Sequence, residues 1–312
     1  MKHAIDPKID CVFKAILGAE DNRHLLIHFL NAILGQDLPS PITSVEILNP
    51  ASDREFFSDK MNVVDVKARD NASRMFQVEI QLLQHRGLPQ RMLYCWADLY
   101  AKQIESGDEY QKLQPAYSIW LLDANLNDID TGPIHRYKFR NESQQSMAEH
   151  GGIWLIELKK CRWDHVATEE QRWLKLFNDG QTLNDADLPE WMQTPEMRKV
   201  MTVLQQFSDK EENYHTYASR LDYQRTQRAI ENQAQENFDK LNRAEQELGQ
   251  FEQKLNHTVQ QLTSTEQKLT STEQKLTSTE QKLTSTEQKL TSTELSLQEA
   301  LAEIERLKAG QR

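Results

Sequence analysis

Apolar residues are scarce in this 312-residue chain, at 38%, against roughly 45–50% in ordinary globular proteins. No run approaches the roughly 18 apolar residues that a membrane helix needs, so no span is expected. The opening MKHAIDPKID lacks an apolar signal segment, which favours a cytoplasmic location. Cysteine is scarce too: Cys11, Cys95 and Cys161 are far apart and odd in number. That excludes a disulfide framework and a CxxC zinc site, and suits a reducing compartment. Positive charge is in deficit, with 37 Lys+Arg against 48 Asp+Glu and a net charge of −11. Residues 1–240 hold 28 basic and 37 acidic side chains, net −9, and residues 241–312 hold 9 and 11, net −2. An acidic globular part argues against a broad basic nucleic-acid surface, though not against a local one. A Walker phosphate loop, a GxGxxG turn and a GxSxG elbow are all missing, so ATP use, dinucleotide binding and serine hydrolysis lack support. The nine histidines are read as scattered surface and core residues, not as metal ligands.

What dilutes the apolar fraction is a repeat. LTSTEQK occurs four times in tandem from Leu262 to Lys289, and LTSTE at 290–294 begins a fifth unit. Leu241, Leu248, Leu255, Leu262, Leu269, Leu276, Leu283, Leu290, Leu297 and Ile304 all keep one seven-residue phase. A strict heptad predicts a helix that supercoils left-handedly with partners. With Leu at a, the d positions run Ala244, Phe251, Thr258, Thr265, Thr272, Thr279, Thr286, Thr293, Ala300 and Leu307; Glu266 falls at e and Lys268 at g. Placing Leu at d instead would put Glu at a. Threonine seams bury little and are modest helix formers. Two outcomes therefore stay open, a self-associating coiled coil and a solvated helix or disordered tail. The repeat holds no residue suited to chemistry and reads as a spacer.

The globular part, residues 1–235, precedes a heptad region, 236–312. Asp6 to Leu34 reads as helix, with Pro7 in its first turn and a break between Gly18 and Asn22. Val45–Leu48, Lys60–Arg69 and Arg74–Leu82 read as strands, with turn chemistry at Asp70-Asn71-Ala72-Ser73. Pro89 to Ile104 is an amphipathic helix. Tyr117–Leu122 is an apolar run typical of a strand buried on both faces. Ile134–Phe139 and Ile153–Leu158 are further strands, and Trp173 to Glu236 is mostly helical with loops near 179–195. This order predicts an α/β sheet covered by helices.

Asp65, Glu79 and Gln81 form the constellation with chemical promise. Two strands joined by a short turn would bring Asp65 near Glu79, and Glu79 and Gln81, two apart, share a face. Paired carboxylates make an oxygen-rich site that suits magnesium, and such an ion polarises a phosphodiester and acidifies water. The bland alternative is equally direct: an alternating strand sets polar residues on its solvent face.

Several segments resemble the Rpn family, the recombination-promoting nuclease/putative transposase group of the PD-(D/E)XK superfamily. Asp10-Cys11-Val12-Phe13-Lys14 resembles its D-x-x-F-K opening, and Phe29 to Leu34 its f-L-N-a-i-L helix. Asp59-Lys60 with Val64-Asp65-Val66 resembles D-K…v-D-v, and Val78-Glu79-Ile80-Gln81 resembles i-E-i-Q. Arg91, Tyr94, Gln103, Gly107 and Tyr110 match a helix-and-turn pattern, and Trp154 to Lys159 a later strand. The match spans about residues 4–230 and leaves out the heptads.

The resemblance implies a restriction-endonuclease-like mixed sheet flanked by helices, and a Mg²⁺-dependent DNA endonuclease linked to recombination, mobile DNA or phage defence. Asp65 and Glu79 would ligate Mg²⁺. Gln81 would take the place of the superfamily's lysine, orienting water or phosphate by hydrogen bonding while supplying no charge. The missing cation could come from Lys67, Lys14 or Lys60. Asp10 could complete the metal site. Arg91 and Gln103 could face the phosphate backbone or merely bond the helix surface. The expected partners are DNA and further copies of the chain, paired through the coiled coil. A regulatory C-terminal product from an internal start at Met192, Met197 or Met201 is a further expectation. The rival reading is a non-catalytic DNA-binding or recombination accessory protein on the same fold.

Overall fold

The computed structural model describes residues 1–48, 66–82, 87–126 and 132–309. Its contacts divide the chain into two units, Met1–Asn232 and Gln233–Arg312.

The first unit is built on a mixed six-stranded sheet: β1 Val45–Ile47, β2 Val66–Asp70, β3 Met75–Gln81, β4 Ala116–Leu122, β5 Ile134–Tyr137 and β6 Gly151–Glu157. The spatial order is β1-β2-β3-β4-β6-β5. β1, β2 and β3 pair antiparallel, β3, β4 and β6 run parallel, and β5 returns antiparallel on β6. The helices are α1 Asp10–Leu17, α2 Arg23–Leu34, α3 Leu88–Ala101, α4 Glu169–Asp179, α5 Pro195–Asp209 and α6 Glu211–Ala309. The α/β class and the helix-flanked mixed sheet are as expected.

Alternation along the strands sends side chains to two faces. On one face Val66, Ala68, Phe76, Val78, Ile80, Tyr117, Ile119, Leu121, Trp154 and Ile156 meet the apolar stripes of α1, α2, α4 and α5. On the other, Trp120, Leu122, Ile153 and Leu155 meet Leu88, Met92 and Cys95 of α3. β4 is buried at every position, because it lies mid-sheet with both faces covered.

Local chemistry fixes the ends. Gly18 closes α1, its N–H donating to Lys14 O at 2.7 Å. Pro7 does not start that helix: α1 begins at Asp10, after Ile9. Thr168 and Thr194 cap α4 and α5 through their side chains, satisfying N–H groups that a first turn leaves open. Asn31 bonds both polar backbone groups of Ile42 at 2.8 Å, which ties the loop before β1 to α2. At the β2–β3 turn Asp70 accepts from Ala72 N–H and Arg74 N–H and pairs with Arg74 Nε at 2.6 Å, almost wholly out of solvent. Met192, Met197 and Met201 are buried packing residues.

The thiols are buried as well. Burial, reinforced by the Asp10 charge, pushes Cys11 up to about 12, and burial followed by Glu170 does the same to Cys161. Only a thiolate reacts with alkylating agents. The native protein is therefore expected to resist iodoacetamide at pH 8 and to take up three equivalents once denatured. Rapid native labelling, followed by mass spectrometry, would contradict this packing.

The second unit is helical through Ala309, which settles secondary structure there in favour of helix. No helix among the described residues is long and apolar enough to cross a membrane.

Candidate active site

The α3-covered face of the sheet carries the polar residues. Gln77, Glu79 and Gln81 follow one another on β3, and the pairings Glu79–Trp120 and Gln81–Leu122 set them beside β4. An alternating strand would ordinarily turn such residues to water. Here α3 lies across them, and Gln77 and Glu79 are 0% and 2% exposed. Burying a carboxylate without partners is costly, so the surroundings of Glu79 matter.

Arg91 of α3 supplies one partner. Its Nη2 stands 3.7 Å from Glu79 Oε2 and its Nη1 donates to Gln81 Oε1 at 3.3 Å. Its guanidinium lies 5.5 Å from the centre of the Trp120 ring, a cation–π distance. Gly87, with φ +82°, and Pro89 start the helix that delivers it. Two oxygen-bearing side chains thus converge on one fixed cation. Below them Gln77 Nε2 and Trp120 Nε1 both donate to Ser118 Oγ, at 2.5 and 2.8 Å. The Cys95 thiol faces the same cluster. Burial and then the Glu79 charge raise its pKa, while Arg91 and Lys67 pull the other way.

Lys67 shares this face, since it pairs with Gln77 across the β2–β3 ladder. Lys14 lies on α1, whose closing Gly18 abuts Val66 at the start of β2. Asp65 and Lys60 lie outside the described residues; the ladder's described end is the Val66–Val78 pair. Asp10 engages Arg220 Nε at 3.8 Å and the backbone of Cys11. Gln103 lies beyond the end of α3, not on it, and bonds both N–H and C=O of Gln114 at 3.0 Å. Of its two readings, hydrogen bonding within the protein is the one seen.

As hosts for a metal, Glu79 and Gln81 fit in kind, because hard cations take oxygen donors. Gln77 Oε1 and Arg91 Nε on the same face are buried without hydrogen-bond partners among the described residues, so the cluster has polar capacity to spare. In number the set is short: among the described residues no group of three or more His, Cys, Asp or Glu is placed to hold a metal ion. His24 and His28 do stand four apart on α2, a spacing compatible with metal ligation. However, His28 Nδ1 accepts from Trp173 Nε1 at 2.9 Å and its Nε2 lies 3.6 Å from Glu169.

Two features escape the sequence reading. Glu157, at the end of β6, is wholly buried with His135 Nε2 at 3.0 Å, Lys160 Nζ at 2.5 Å and the Leu126 N–H against its carboxylate. Beyond the ends of β3 and β4 lies a cavity of about 290 Å³, lined by Asp6, Lys8, Leu82, Asp123, Arg225 and Arg228 among others. Arg228 reaches Asp123 at 3.6 Å. Burial, opposed by Lys8, raises the Asp6 carboxyl. The cavity gathers three basic side chains in an otherwise acidic unit. They come from the N-terminal segment and from α6, which is why no local motif announces them.

No curated protein and no solved structure matches this chain significantly. The family model for PD-(D/E)XK nuclease family transposases matches residues 7–234. That stretch takes in the whole sheet and the α3 cluster, so the chain belongs to the PD-(D/E)XK nuclease family transposases.

Proposed function

We propose that the chain is a divalent-metal-dependent DNA endonuclease with Mg²⁺ as its ion, serving recombination, mobile DNA or phage defence in the cytoplasm. The observation that carries this reading is the convergence of Glu79 and Gln81 on Arg91 at a buried sheet face. Asp65 and Glu79 would hold the cation, which when bound supplies Lewis acidity toward a phosphodiester. The other roles belong to the chain itself. Gln81, fixed by Arg91, orients a water or the scissile phosphate through its amide. Arg91 provides positive charge next to that amide, the property that a glutamine lacks and a phosphoryl transition state rewards. Trp120 packs against the guanidinium and leaves it partly exposed to solvent. The exposed basic side chains Arg225 and Arg228 give DNA a local foothold, and the net −9 of residues 1–240 makes binding weak and salt-sensitive.

One observation favours a second reading. Arg91 already neutralises Glu79 without any metal, as it would in a DNA-binding accessory protein that has lost catalysis. Supercoiled plasmid decides between them. Incubated with Mg²⁺, the intact protein is expected to nick or linearise it, and with EDTA it is not. Asp65→Ala is expected to lose at least about 10²-fold in rate with unchanged circular dichroism. Absence of metal-dependent cleavage by the intact protein would leave the accessory reading.

A further inference from the structure

The heptad helix presents a regular apolar face. Leu262, Leu269, Leu276, Leu283, Leu290 and Leu297 are each 60% exposed, an uninterrupted stripe of identical side chains within unit Gln233–Arg312. Exposed leucines at strict seven-residue spacing are out of place in water, and their spacing matches a coiled-coil seam.

We infer that this stripe docks on the same stripe of further copies of this chain, parallel and in register. Three observations carry the inference. The first is charge. Every repeat has Glu at e and Lys at g, giving the inter-chain pairs Lys268–Glu273, Lys275–Glu280, Lys282–Glu287 and Lys289–Glu294 in a parallel arrangement. An antiparallel arrangement would set e against e and g against g, glutamate on glutamate and lysine on lysine. Like charges there repel and select against it. Nor does the helix use these charges internally, because Glu266 and Lys268 are only two apart and face different ways.

The second observation concerns threonine at d. Thr258, Thr265, Thr272, Thr279, Thr286 and Thr293 each donate Oγ1–H to the carbonyl four residues back, at 2.8–2.9 Å. A hydroxyl satisfied by its own helix can be buried without stranding a donor. The seam therefore closes over threonine methyls at little polar cost, and a hydroxyl at d is no bar to burial. The third is register. Inside the tandem copies a one-heptad slip is nearly neutral, since the units are identical. Outside them it is not: Ala244 and Phe251 before the copies, and Ala300 and Leu307 after them, match only themselves.

The test uses the full chain. Light scattering at micromolar concentration is expected to give two or more times 36.4 kDa. Leu248→Cys, near one end of the seam, is expected to form an inter-chain disulfide under mild oxidation, because the native cysteines are buried and facing a positions lie within disulfide reach. An antiparallel pair would hold the two introduced thiols far apart and give none. Lys→Glu at 268, 275, 282 and 289 together is expected to return the protein to monomer at low salt, with helical circular dichroism retained. A monomeric intact chain, an oligomer that Leu248→Cys does not crosslink, or an oligomer indifferent to the four Lys→Glu changes would each overturn the inference. None of these readouts depends on cleavage, so the nuclease reading and this one can fail separately.

Discussion

Replacing Glu79 with glutamine is expected to lower Mg²⁺-dependent plasmid cleavage by at least about 10²-fold. Glutamine keeps the shape of the side chain and removes its charge. Glu79 sits on β3, 2% exposed, so its carboxylate is held at the site and is not a mobile surface group. The amide would offer a divalent cation a neutral oxygen in place of an anion. It would also turn a donor NH₂ toward Arg91 Nη2, which now stands 3.7 Å from Oε2. Loss of fold is not the expected cause. Orphaning a fully buried partner costs about 3–5 kcal/mol, but the Arg91 side chain is 24% exposed and remains partly hydrated. Calorimetric titration with Mn²⁺ separates the effects: weakened ion binding with unchanged thermal unfolding assigns the loss to the site. Cleavage by Glu79→Gln at the rate of the intact protein would sink the proposed role of this carboxylate.

Much of the architecture is legible in the sequence because periodicity records burial. The alternation through Phe76, Val78 and Ile80 and the continuous run through Tyr117–Leu122 both mark strands, and β3 and β4 are strands there. The run is buried on both faces as expected, whereas β3 is buried on both faces too, its polar side included. The break at Gly18–Asn22 is written in turn formers and appears as a short 3₁₀ segment at Glu20–Asn22 between α1 and α2. What periodicity cannot tell is what covers the polar face of a strand. Gln77 and Glu79 look like solvent-facing residues until α3 is laid over them. The one local clue was Ser118, a hydroxyl inside an apolar run, which collects hydrogen bonds from Gln77 and Trp120. For Gln103 the sequence leaves two uses open, and tertiary packing takes the structural one, fastening the turn after α3 to Gln114. Contacts set by tertiary approach leave no period in the chain, and Arg91 with Glu79 is of that kind.

The sheet's own weak point yields the largest expected loss of stability. Gly151 opens β6 with φ +84°, and a Cβ there would stand 2.0 Å from the carbonyl oxygen of Ala116. The obstacle is backbone of β4, paired with Gly151 in the ladder, so no side chain can yield to relieve it. β6 must shift, and β5, which pairs only with β6 in the strand order, would go with it. Gly151→Ala is expected to cost about 4 kcal/mol or more and to lower the melting temperature of the first unit by about 10 °C. The fluorescence of Trp120, Trp154 and Trp173, all fully buried there, reports it without interference from the tryptophan-free heptads. Two other glycines set the scale. At Gly107, φ +98° with nothing within 4 Å, the same substitution carries only the left-handed backbone penalty, about 1–2 kcal/mol. At Gly249, in helix with open space around it, alanine is expected to add about 0.5–1 kcal/mol to helix stability. Steric approach, not glycine's entropy, thus sets the order 151, 107, 249. A melting point for Gly151→Ala no lower than that of Gly107→Ala would mean that β6 tolerates displacement from β4 and that the parallel core is looser than its packing implies.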